Sequence, residues 1–176
     1  MLAYKFTKSE IDKILDTLII TVDTREQKNH HIRDYFVKRD IKYANRTMST
    51  GDYGCYIPAN PDMGIMRDLH IAGCLERKAT VDELVGNFSK DNRTRFENEM
   101  IRAAKSPFVL LIEDEDGYRK ILEGDYWSDY NPKSLLGSLK SFEARYNFST
   151  VFVNARFSGN YIYHHFYYLA RELLKA

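Results

Sequence analysis

Glu76-Arg77-Lys78, followed by Ala79-Thr80-Val81 and then Asp82, is the segment of the chain best equipped for chemistry. Upstream lie a Gly51-Asp52-Tyr53 turn and the segment Val22-Asp23-Thr24-Arg25-Glu26. Glu76 and Lys78 are two apart on an expected strand, so both side chains point to one face. A carboxylate beside an ammonium, with a second carboxylate from Asp52, is what metal-dependent phosphodiester hydrolysis requires. The acids hold a divalent cation, and the lysine orients the attacking water or neutralises charge on the phosphate. The residues therefore predict a DNA endonuclease. Taken singly, each has an ordinary use: Asp23 in a turn, Gly51-Asp52 as a hairpin signal, Glu76-Arg77-Lys78 as a solvated edge. The prediction rests on their combination, which only folding can bring together.

The elements that must position these residues can be read along the chain. Ser9 is a candidate cap for a helix through Ile11, Ile14, Leu15 and Leu18. Leu18 to Val22 reads as a buried strand ending at Asp23, and a helix follows through Ile32, Tyr35 and Phe36 to Lys38-Arg39-Asp40. Strands are expected over Ile41 to Asn45, Tyr53 to Ile57 and Leu69 to Lys78, with a loop at Pro58 to Gly64. Helices are expected over Val81 to Phe88 and Asn92 to Ala104, the second with Phe96, Met100, Ile101 and Ala104 on one face. Phe108 to Ile112 is the clearest buried strand. Pro132 opens a helix through Leu135, Leu136, Leu139 and Phe142. Thr150 to Val153 is a short strand, and Ser158 to Ala176 a long aromatic helix. Strands interleaved with helices predict an α/β fold, a single mixed central sheet flanked by helices.

The 176 residues are 44% hydrophobic, 14% aromatic and 29% charged, the composition of one globular domain able to bury a core without disulfides. Within that domain, 1–17 is expected to be a helical extension, 18–113 the motif-bearing core and 114–176 the C-terminal helices and strand. Cys55 and Cys74 lack zinc-ligand spacing and are expected as small buried hydrophobes. No apolar run approaches the roughly 20 residues that span a bilayer, so no membrane partner is expected. The first residues lack a charged segment leading into an apolar one. A cytoplasmic location is expected, in the host cytoplasm if the chain is phage-encoded. The net charge of +1 decides nothing about nucleic acid, because acids at a metal site mask basic patches elsewhere.

The ordered set of motifs resembles the nuclease domain of the XPF family of structure-selective endonucleases. The family signature of Gly-Asp, a variable gap, Glu-Arg-Lys, three residues and Asp is matched by Gly51-Asp52, Glu76-Arg77-Lys78 and Asp82. Its upstream Val-Asp-x-Arg-Glu is matched by Val22 to Glu26, and its next core strand by Phe108 to Ile112, ending in Glu113. The resemblance implies a restriction-endonuclease-like core and Mg²⁺- or Mn²⁺-dependent cleavage of branched, forked or flapped DNA in replication, recombination or repair. By the same resemblance Asp23, Glu26, Asp52, Glu76 and Lys78 are catalytic candidates, with Asp52 and Glu76 direct metal ligands and Asp23 a third or water-mediated one. Arg25 and Glu26 shape the site, and Arg77 points away or contacts phosphate. Asp82 fixes neighbouring geometry or caps the next helix, and Glu113 lies near the metal. The Pro58 to Gly64 insert lengthens the gap between Asp52 and Glu76 and is expected to decorate the surface. The family's tandem helix-hairpin-helix module, which supplies duplex grip, is not among these residues.

Some grip is available from Arg93, Arg95 and Arg102, which are candidate phosphate contacts. The alternative for them is a solvated face paired with Glu97 and Glu99. Tyr126, Trp127 and Tyr130 are assigned to packing or an interface in preference to stacking on an unpaired base. The aromatic surface of the last helix (Tyr161, His164, His165, Phe166, Tyr168, Leu169) predicts a homodimer. Adjacent His164 and His165 diverge by about 100° and are no metal pair. The competing function is a non-catalytic DNA- or partner-binding member of the same fold; the presence of Asp23, Asp52, Glu76 and Lys78 favours catalysis.

Overall fold

A computed structural model describes residues 5–175. Seven strands form one mixed sheet flanked by helices, and the chain divides into two compact units. Of the described residues, the first comprises 5–48, 53–72 and 159–175, and the second 49–52 and 73–158.

In the first unit, α1 (Lys8–Leu15) leads into β1 (Ile19–Asp23). The α1 cap is Thr7, not Ser9: the Thr7 hydroxyl accepts the Glu10 N–H while the Glu10 carboxylate accepts the Thr7 N–H, a reciprocal capping box. α2 (His30–Lys38) crosses over to β2 (Tyr43–Arg46), which is parallel to β1. β3 (Tyr53–Ile57) is antiparallel to β1 and carries the short β4 (Leu69–His70) on its other side. The single strand expected over Leu69 to Lys78 is two. Gly73, at φ 149°, breaks it in a conformation that glycine alone adopts readily. The insert between β3 and β4 folds into a hairpin through paired Asn60 and Ile65 backbones, with the Ala59 N–H on the Asp68 carboxylate. α7 (Ser158–Lys175) buries Ile162, Phe166 and Ala170, a four-residue repeat on one face.

In the second unit, β5 (Cys74–Lys78), β6 (Phe108–Ile112) and β7 (Ser149–Phe152) run parallel. Parallel neighbours need crossover connections. α3 (Val81–Asn87) and α4 (Arg93–Ala103) supply the first crossover, and α5 (Gly117–Glu123) and α6 (Pro132–Tyr146) the second. α5 was not legible in the sequence, where Glu113 to Gly117 reads as a strand end and turn. Every residue of β6 is buried, as its unbroken apolar run predicts. Among the described residues, no helix is long and apolar enough to cross a membrane.

The helices over this unit are locked by an aromatic cluster. Phe88, Phe96, Phe142 and Tyr146 pack with ring centroids 5.2–6.0 Å apart. Because α4 hangs on this cluster, Phe142→Ala should cost about 3–5 kcal/mol of stability, read as a lower urea midpoint with an unchanged slope.

Candidate active site

Alternation along β5 sorts its three charged residues: Glu76 and Lys78 face one way and Arg77 the other. All three are largely buried, so each must find a partner locally. Lys78 Nζ lies 2.5 Å from Glu76 Oε1. Arg77 Nη1 lies 2.6 Å from Glu113 Oε2, with the two side chains 5% and 3% exposed. Glu113, expected near the metal, therefore belongs to the opposite face of the strand, where it neutralises Arg77.

Gly51-Asp52 fastens onto the same strand. The Asp52 N–H donates to the Leu75 carbonyl and the Arg77 N–H donates to Asp52 Oδ2, both at 2.9 Å. Gly51 makes this approach possible. Its φ is +73°, and a Cβ there would lie 3.0 Å from Cys74 Cβ and 3.1 Å from the Leu75 oxygen. Asp52 and Glu76 thus meet on one strand beside Lys78.

α4 adds a residue that sequence reasoning assigned to a solvated face. Glu99 is half-buried, and its carboxyl group lies within the electrostatic reach of Glu76. Burial, and then the Glu76 charge, raise its pKa to about 7 against the partial opposition of Lys78. The signal was present in the spacing, for Glu99 is three residues from Phe96 and borders the buried stripe Phe96, Met100 and Ala103. For Lys78, burial alone would lower the pKa. The Glu76 charge and hydrogen bond outweigh it, with Asp52 and Glu99 adding, so the ammonium is held above its ordinary value.

In the first unit, Asp23 ends β1 with a carboxylate that is only 1% exposed. Arg25 grips both its oxygens (Nε–Oδ1 2.8 Å, Nη2–Oδ2 3.0 Å), and the Arg25 and Met48 amides donate at 2.8 and 2.7 Å. The Arg25 side chain, and next these amides, hold its pKa at about 2 against the effect of burial. Glu26 follows, half-buried, in the turn closed by its N–H on the Asp23 carbonyl.

The remaining candidates serve other contacts. Asp82 does not cap α3, a role taken by Thr80; its Oδ1 accepts the Trp127 N–H at 2.8 Å. Arg93 lies over Phe142 and Phe88 and donates to Ser138, which makes it a packing residue. Arg95 and Arg102 are exposed. Glu97 reaches Arg145 and Tyr146 on α6.

The site's donors are carboxylate oxygens, the set that suits a hard divalent cation. Among the described residues, no group of three His, Cys, Asp or Glu is already arranged to hold a metal ion. Lys78 and Glu99 both lean on Glu76, so a cation would enter by displacing these contacts. The donor chemistry fits, because a cation would relieve the contact between the Glu76 and Glu99 carboxyl groups.

The family model of the ERCC4 domain matches residues 22–165. The chain belongs to the ERCC4 domain family. Membership accounts for the order of the motifs. Among solved structures, this ERCC4 domain is similar to XPF from Aeropyrum pernix, at a TM-score of 0.60 and 14% identity over 88% of this chain and 64% of that one. It is also similar to XPF from Aeropyrum pernix in complex with DNA, at a TM-score of 0.60 and 16% identity over 89% of this chain and 65% of that one. The likeness establishes a shared fold, and the chain spans just under two-thirds of the length of those relatives. No curated protein matches.

Two outcomes test this electrostatic arrangement. Glu99 binds its proton more tightly folded than unfolded, where its pKa is about 4.5. Stability of the metal-free protein should therefore fall as pH rises from about 4.5 through about 7, and Glu99→Gln should flatten that fall in urea titrations. Arg77→Ala strands the buried Glu113 carboxylate and should cost about 3–5 kcal/mol, read from the same denaturation midpoints.

Proposed function

We propose that this ERCC4 domain is a divalent-metal-dependent endodeoxyribonuclease. In this reading it acts at branched, forked or flapped DNA in replication, recombination or repair, with residues 1–176 forming one nuclease domain. The observation that carries the reading is the Lys78 ammonium 2.5 Å from Glu76, beside an Asp52 hydrogen-bonded to the same strand. Asp52 and Glu76 would hold the cation, Mg²⁺ or Mn²⁺, and Glu99 would be released from Glu76 to join them. A bound cation would polarise the phosphate and lower the pKa of an attacking water.

Lys78 stays charged across physiological pH and would be released from Glu76 if the carboxylates held a cation. Its ammonium would then offer up to three N–H donors to a phosphate oxygen or to a water. Asp23, both oxygens engaged by Arg25 and the Met48 amide, would act at one remove through water and hold Arg25. Glu26 would support the same turn. Arg77 would serve the strand through Glu113, and the exposed Arg95 and Arg102 would meet backbone phosphates. The exposed Tyr168 and Leu173 of α7 favour a homodimer packed on that helix. A cytoplasmic location is consistent with this reading.

The test is a labelled panel of duplex, flap, fork, four-way junction and single strand with Mg²⁺ or Mn²⁺. Cleavage is expected at the branched members, and Asp52→Asn or Glu76→Gln should reduce it by about 10²–10³-fold, the scale on which one preorganised electrostatic group acts. Unchanged cleavage in both variants would show that the metal ligands are misassigned. Binding without cleavage under either metal would identify a non-catalytic member.

A further inference from the structure

Trp127 is 96% exposed, although packing or an interface was expected for it. Holding a large indole in water costs the favourable burial its size offers, yet the loop that carries it is firmly built. The Trp127 N–H is fixed by Asp82, the Tyr126 hydroxyl donates to the Tyr130 carbonyl at 2.7 Å, and the Tyr130 N–H donates to the Ser128 hydroxyl at 3.2 Å. Gly124, at φ +73°, ends α5 against Pro132, where a Cβ would come within 2.9 Å of the proline ring. The indole is therefore presented by a preorganised loop. Beside it is a cavity of about 400 Å³ lined by Asp82, Lys120, Gly124, Asp125, Tyr126 and Trp127.

The chemistry of that lining narrows its occupant. An aromatic face open to solvent stacks on flat π-systems. Lys120 is engaged by Asp114, and Arg119 by Asp125 and Glu123, so these cations are already paired and offer a phosphate little attraction, which leaves the aromatic face as the main binding element. A nucleobase carries no charge, and its edge presents N–H donors and acceptors that carboxylates and an ammonium can answer. The position also fits. Asp82 lies four residues beyond Lys78, at most ~14 Å along the chain, and it holds the Trp127 amide. The Trp127 amide is thus held within roughly 20 Å of the Lys78 backbone.

We propose that Trp127 and its cavity bind an unpaired nucleobase of the substrate, so that a single-stranded arm is seated beside the cleavage site. This rests on the endonuclease reading and deepens it by naming the strand state recognised. Only an unstacked base can lay its face on the indole. A fully paired duplex buries those faces within its own stack.

Trp127 is the only tryptophan of the chain, so its fluorescence reports the cavity directly. The wild-type protein, in chelator without metal, would be titrated with a fork, the same fork bearing abasic arms, a blunt duplex and a tetra-arginine peptide. Quenching by the fork alone, with about tenfold weaker fork binding in Trp127→Ala and a smaller loss in Trp127→Phe by anisotropy, is the expected result. Equal quenching by abasic and base-bearing forks, quenching by the peptide only, or no response to any DNA would overturn the proposal. Cleavage lost in Asp52→Asn with an unresponsive Trp127 would remove this inference alone. Cleavage undiminished in Asp52→Asn would instead remove the proposed metal ligands, whatever the fluorescence does.

Discussion

The structure around the site depends on one strand carrying three consecutive buried charges. An isolated ion taken from water into a protein interior costs several kcal/mol unless it is paired and hydrogen-bonded. β5 must therefore be compensated from both faces. Arg77 is met by Glu113 from the end of β6, which becomes its neighbour only because β5 and β6 run parallel in register. Glu76 and Lys78 meet each other on the opposite face, with Asp52 brought in by the Gly51 turn and Glu99 by α4. Removing one member of either ion pair takes the nearest opposite charge from its partner.

The compensation is incomplete on the Glu76 face. Three carboxylates, from Asp52, Glu76 and Glu99, stand against the single ammonium of Lys78. Burial first, and then the Glu76 charge, make Glu99 retain its proton to an unusually high pH. Asp23 shows the contrary arrangement, since four hydrogen bonds from Arg25 and Met48 stabilise its ionised form. One buried acid is thus fully satisfied and another left wanting positive charge. The second is the condition under which a divalent cation gains most, and it is the physical basis of the proposed chemistry.

Rigidity around the site comes from ordinary packing. The Phe88, Phe96 and Phe142 rings hold α4 so that Glu99 faces the strand, and Arg93 covers two of those rings. Asp82 links the first turn of α3 to the loop before α6, which relates the loop bearing Trp127 to the end of β5. Residues outside the Glu76-Arg77-Lys78 segment therefore set its surroundings through backbone amides and aromatic faces.

Much of this was legible in the sequence. The unbroken apolar run Phe108 to Ile112, the proline at the start of α6 and the two-residue spacing of Glu76 and Lys78 each act locally, through burial, backbone restriction and strand alternation. The α1 cap was misread because Thr7 and Ser9 are both good caps; the choice fell to the reciprocal partner Glu10. The break after β4 was hidden because a glycine's φ is not written in its neighbours. Asp82 and Glu113 were placed by the order of motif and strand and Arg93 by its charge, whereas their contacts come from segments 45, 36 and 45 residues away. Sequence by itself determined which residues could do chemistry and which faces they share within one element, because local periodicity governs both. Only the tertiary structure decided that Glu99 joins Glu76, that Glu113 serves Arg77 and that Trp127 stands in water. Those outcomes depend on burial and on charges meeting across separate elements, and neither quantity exists until the chain has folded.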